Sequence, residues 1–154
     1  MLTIQPLPQA RHLKPIVSHW LLSEWPDWYG EEGPGDLSAD VEAFATSHLE
    51  LPIGFVAFDD AKPVGFGALK AESIPSHSHL TPWAAAGFVL PERRGQGIGA
   101  LLLQAMAAHA KTLGYEHVYC ATSTSVSLLH RAGWHVVEKI VHAGEPMVIF
   151  RSGA

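Results

Sequence analysis

The chain has 154 residues, 47% apolar and 16% charged, which is enough for one domain over 1–154 that buries its core without metals or disulfides and too apolar for extended disorder. Its formal charge of -5 repels phosphate backbones, so it argues against non-specific nucleic-acid binding and suits a positively charged small partner. Cys120 is the single cysteine, Met1 to Pro6 lacks the regions of a signal peptide, and no apolar run reaches the roughly 18 residues of a bilayer span; no internal disulfide, no membrane segment and a cytoplasmic location are expected.

Leu2 to Pro6 reads as a first strand, and Arg11 to Glu24 as a helix with Leu13, Ile16, Val17, Trp20 and Leu21 on one face. Trp25 to Gly35 is a loop rich in aromatics, acids, Gly and Pro. Ser38 is the expected N-cap of a second helix carrying Val41, Phe44, Ala45 and Leu49. Strands at Ile53 to Phe58 and Val64 to Lys70 form a hairpin around Asp59-Asp60-Ala61-Lys62-Pro63. After the polar loop Ser73 to Pro82 comes a buried strand, Trp83 to Leu90, then a Gly-rich turn and a helix ending near Gly114. A strand at His117 to Thr122, a short helix at Ser125 to Ala132, and strands near Trp134 to Ile140 and Pro146 to Arg151 complete the chain. The reading is one α/β domain with a mixed sheet of about six or seven strands and about four helices.

Between strand and helix stands Arg94-Gly95-Gln96-Gly97-Ile98-Gly99. Glycines there let backbone N–H groups turn toward one cluster of oxygens, and the helix N-terminus adds positive potential, so the expected occupant is a phosphate. A P-loop is excluded because no lysine and no Ser/Thr follow the turn. Gly95-x-Gly97-x-x-Ala100 fits a relaxed dinucleotide fingerprint, but the next strand ends Tyr119-Cys120-Ala121-Thr122 with no acid for a ribose, and little chain remains for a second nucleotide-binding half.

The segment from Val89 to Gly99, followed by its helix, resembles the acetyl-CoA-binding motif Arg/Gln-x-x-Gly-x-Gly/Ala of the GNAT superfamily of N-acetyltransferases, matched at Arg94, Gly97 and Gly99. The resemblance is sharp over 83–134 and looser upstream. It implies the GNAT fold, with the strand Trp83 to Leu90 splayed from its neighbour, and acetyl-CoA as cosubstrate with no metal. Arg94, Gly95, Gln96, Gly97, Ile98 and Gly99 would hold the pyrophosphate, while Phe88 and Val89 would offer backbone groups to the pantetheine and thioester. It implies acetyl transfer to a primary amine, a small molecule or a peptide N-terminus, by direct attack in a ternary complex, and it allows a homodimer.

Against the family's Leu-Tyr-x-x-x-Gly-Phe, the chain reads Leu129-His130-Arg131-Ala132-Gly133-Trp134, and His130 is taken in the tyrosine's place as candidate acid for the departing thiolate. Glu72 is the candidate base, with His77 and His79 behind it. His77-x-His79 lacks the glutamate that a cupin-type metal site needs. Cys120 and Ser123 near the end of a strand have no supporting triad order, so an acyl-enzyme is disfavoured. Glu24, Asp27, Glu31 and Glu32 flank Trp25, Trp28 and Tyr29, a composition suited to a cationic acceptor. Two other readings remain: a non-catalytic acyl-CoA-binding module, suggested by the missing tyrosine, and a nucleotide-dependent oxidoreductase.

Overall fold

The computed structural model describes residues 1–153. Its sheet, among those residues, has seven strands in the order β1-β2-β3-β4-β5-β7-β6: β1 (Leu2–Pro6), β2 (Ile53–Asp59), β3 (Lys62–Lys70), β4 (Trp83–Val89), β5 (Tyr119–Thr122), β6 (His135–His142) and β7 (Glu145–Arg151). Neighbours are antiparallel except β4 and β5, which are parallel and share a single residue pair, Trp83 with Tyr119. A parallel pair needs a crossover, and that is supplied by α4 (Ile98–Thr112).

Helices cover both faces. On one side α1 (Lys14–Glu24) and α3 (Leu37–Phe44) bury Val17, Trp20, Leu21, Val41 and Phe44 against Val56, Phe66 and Phe88. On the other, α4 and α5 (Val126–Arg131) bury Ile98, Leu102, Met106 and Leu129 against Ile53, Phe55, Leu69 and Phe150. Alternation along β2 serves both layers, with Phe55 and Ala57 turned to α4 and Val56 to α1.

Local departures from the sequence reading have local causes. The first helix begins at Lys14 behind two 3-10 turns, with Pro15 in its opening turn, where a missing N–H costs nothing. The cap of α3 is Asp36, not Ser38: the Asp36 carboxylate accepts from Ala39 N at 3.1 Å, and Ser38 lies inside the first turn. That helix ends at Phe44, so Leu49 is exposed instead of packed on its face. A one-turn helix, α2 (Pro26–Tyr29), lies within the expected loop. His117 precedes β5, and Trp134 precedes β6 as a core side chain.

Candidate active site

Strand β4 is regular where Lys70, Leu69 and Ala68 pair with Trp83, Ala84 and Ala85, and again where Phe66 and Gly65 pair with Phe88 and Val89. Between them Ala86 and Gly87 together oppose Gly67, a bulge with Ala86 at φ 54°. A left-handed alanine costs about 1–2 kcal/mol, strain that bends the strand away from β5. The V-shaped gap opens immediately after the Trp83–Tyr119 pair, and the bulge lies within it, three residues on.

Beyond the bulge the edge facing the gap carries backbone groups that no strand pairs. Leu90 N donates to Val64 O at 3.0 Å, so Leu90 points at β3 and, by alternation, both the N–H and the carbonyl of Val89 point into the gap. Phe88, one residue earlier, bonds toward β3, and its ring stacks on Trp20 at 5.2 Å between centroids. Of the two residues expected to offer backbone to a pantetheine arm, Val89 faces the gap and Phe88 helps anchor the strand to α1.

At the open end of the V, Pro91–Arg93 make a 3-10 turn and Arg93 clamps Asp59 at 2.6 Å. Arg93 and the N-terminal ammonium group hold the Asp59 carboxyl below the usual carboxylate range. Gly97 is the N-cap of α4, with φ 86° and no side-chain cap bond, and no acid stands in the first turn. Leu101 N is the first to find an intrahelical carbonyl, that of Gly97 at 3.1 Å, which leaves the N–H groups of Ile98, Gly99 and Ala100 pointing out of the helix end. A Cβ at Gly97 would meet nothing within 4 Å, so the space above these donors is open. Gly99 has a different reason to lack a side chain: its Cβ would stand 3.1 Å from Leu128 Cδ2, and this close approach seats α5 beside the start of α4. Uncapped donors, a helix dipole and open space fit a pyrophosphate, and the gap beneath fits an extended amide chain.

Gly95, Gln96 and Gly97 are exposed at this loop, whereas Ile98 is a core residue that fixes the helix end. Arg94 does not reach over the loop. Its side chain folds back, Nε donating to Val89 O at 2.9 Å, the guanidinium 5.9 Å from the Phe88 ring centroid and 3.5 Å from Glu24 Oε2.

The residues expected to move protons are not gathered at the gap. His130 is exposed on α5, its ring edge-on to Phe150 at 5.1 Å between centroids, and Phe150 pairs with Cys120 on the side of β5 away from β4. The family pattern places three residues between tyrosine and glycine; counted back from Gly133, its tyrosine position is Leu129, which is buried. Glu72 is exposed two residues beyond the Lys70–Trp83 pair, at the closed foot of the V. His77 contacts Glu138 of β6 at 3.1 Å and stacks on His79. Burial pushes the Cys120 thiol up to about 12, which keeps it protonated and unreactive.

No motif encodes the bulge at Ala86 or the fold-back of Arg94, and neither follows from the sequence. The loop expected over 25–35 holds a specific ring of contacts. Gly35 N donates to Trp28 O at 2.9 Å, Tyr29 Oη donates to Asp40 at 2.7 Å, and a Cβ at Gly35 would fall 2.4 Å from Trp28 Nε1.

No curated protein sequence matches the chain. Among solved structures it is similar to an aminoglycoside 6'-N-acetyltransferase complexed with coenzyme A (TM-score 0.77, 16% identity, 97% of this chain and 96% of that one). It is also similar to the aminoglycoside 6'-N-acetyltransferase from Enterococcus faecium (0.74, 17%, 97% and 96%) and to an N-acetyltransferase from Staphylococcus aureus Mu50 (0.70, 16%, 98% and 97%). At such identities the likeness is one of fold. The family model of the acetyltransferase (GNAT) family matches residues 15–134, a span that contains α1 from its second residue on, the splayed strand, the Gly97 helix end and α5; the chain belongs to the GNAT family of acetyltransferases.

Proposed function

We propose that this acyltransferase takes the acetyl group of acetyl-CoA and transfers it to a primary amine, of a small molecule or a peptide N-terminus, by direct attack in a ternary complex. The observation that carries the reading is that β4 pairs with β5 at one residue only, at its start, and leads at its far end into an uncapped helix N-terminus at Gly97. The N–H groups from Gly95 to Gly99 bind the pyrophosphate, and Val89 orients the arm by the N–H and carbonyl it turns into the gap, the carbonyl being held by Arg94 until the arm takes its place. The cosubstrate supplies the activated thioester; the chain supplies position and a polar backbone edge.

The acceptor is a cation. It enters from the α1 face, where the loop presents Glu24, Asp27, Glu31 and Glu32 around a half-exposed Trp28 held by Gly33 and Gly35. That the fold neighbours include enzymes described as acting on aminoglycosides, which are polycationic, agrees with this choice. Glu72, exposed at the foot of the gap, is the candidate base through water. His130, packed on Phe150, is better read as a structural residue of α5, and the thiolate then leaves to solvent protons.

The test is release of free CoA thiol, followed with a disulfide reagent, across a panel of aminoglycosides, polyamines and peptide N-termini. Turnover with cationic amines is expected. CoA binding without turnover on any amine would instead establish a non-catalytic acyl-CoA module.

A further inference from the structure

One guanidinium, that of Arg94, touches both substrate sides of β4. It donates to the Val89 carbonyl, which faces the gap. It lies over the Phe88 ring. It also pairs with Glu24, the last residue of α1, on the acceptor face. Both partners are half-exposed, at 51% for Arg94 and 39% for Glu24, and the pair is 3.5 Å long. Such a pair contributes little to stability. Glu24 also stands at the wrong end of its helix, since an acid in the last turn opposes the macrodipole and α1 has no basic residue there to offset it. A carboxylate that neither caps nor stabilises its helix, tied by a weak bond to the residue opening the phosphate loop, has the properties of an exchangeable partner.

We propose that Arg94 is a positioning residue that exchanges between two anions and so makes cofactor binding prepare the acceptor site. Without cofactor it occupies the Val89 carbonyl and neutralises Glu24. A pyrophosphate at the Gly97 helix end carries more negative charge than one carboxylate and draws the guanidinium onto itself. The Val89 carbonyl is then free to accept from an amide of the arm, and Glu24 and the Phe88 ring, which the guanidinium had bridged, are both left without it. The place the guanidinium leaves, with a carboxylate and an aromatic face, suits the ammonium group of the acceptor. Because linkage is reciprocal, acceptor and cofactor bind with positive coupling. This rests on acetyl-CoA being the cosubstrate.

The experiment is a double-mutant cycle on CoA affinity, by calorimetry with the full chain, for wild type, Glu24→Gln, Arg94→Gln and the double variant, each checked by circular dichroism. Glu24→Gln removes the competing anion and should tighten CoA binding by about two- to fivefold, the range an exposed ion pair allows. Arg94→Gln should weaken it, and Glu24→Gln should have no further effect in that background. With the best amine of the acceptor panel, Glu24→Gln should raise KM several-fold at nearly constant kcat. The exchange is overturned if Glu24→Gln leaves CoA affinity unchanged, if it acts equally with and without Arg94, or if the acceptor KM does not move. Failure of the wild-type chain to bind CoA would instead overturn the cosubstrate assignment.

Discussion

Gly97→Asp separates anion binding from folding. Gly97 has φ 86°, a region where aspartate is among the better tolerated side chains at a cost of about 1–2 kcal/mol. No atom lies within 4 Å of the Cβ it would gain, so no steric term adds to this. An aspartate at the N-cap of α4 would also accept from the free N–H groups of the first turn, returning about 1 kcal/mol. The net loss is within about 1 kcal/mol, or about 2–4 °C in Tm for a chain of this size. Binding responds differently, because the new carboxylate takes the donors meant for phosphate and repels it. A unit charge about 4 Å from another, at an effective dielectric near 20, costs about 4 kcal/mol, and solvent at an exposed loop halves that; CoA affinity should fall between about 30-fold and 10³-fold. Calorimetric titration with CoA, beside thermal melts, reads both quantities. A folded Gly97→Asp protein that binds CoA like wild type would refute the placement of the pyrophosphate at this helix end.

His130→Phe should keep kcat within about twofold if the ring only packs on Phe150, whereas a loss of about 10²-fold with a changed alkaline limb would restore it as the general acid. Glu31→Gln with Glu32→Gln should raise the acceptor KM and flatten its rise with ionic strength, and steady-state kinetics at two salt concentrations decide it. Cys120 has a thiol raised from 9.0 to about 12 by burial, so the folded state keeps a proton that the unfolded chain loses first. Stability should therefore fall as pH rises from about 9 toward 12, by up to about 1.4 kcal/mol per unit. Urea denaturation of Cys120→Ala should show a shallower decline over that window, and an identical slope would place the loss elsewhere.

The glycine turn that opens α4 was legible in the sequence because its requirement is local: a left-handed backbone at Gly97 and an uncapped helix start need particular residues at particular spacings, whatever surrounds them. The order of strands and helices was legible for the same reason, since alternation in β2 and the 3.6-residue repeat of α4 are properties of single segments. Helix ends were less so. Asp36 and Ser38 are both capable caps, and only the path of the chain out of Gly35 decides which carboxylate or hydroxyl meets a free N–H. The surroundings of the candidate acid and base were least legible, because a motif position gives a helix and not the direction a side chain takes from it. One residue of register turns the ring of His130 to Phe150 and buries Leu129 instead. The gap itself belongs to tertiary structure. It opens where β5, held by Tyr119 to Thr122 pairing with β7, no longer pairs with β4 past Trp83, and the bulge at Ala86 and Gly87 opposite Gly67 lies along it. Arg94 shows both levels at once: its place in the motif comes from sequence, while its hold on Val89 and Glu24 arises only where strand and helix, distant in the chain, end side by side.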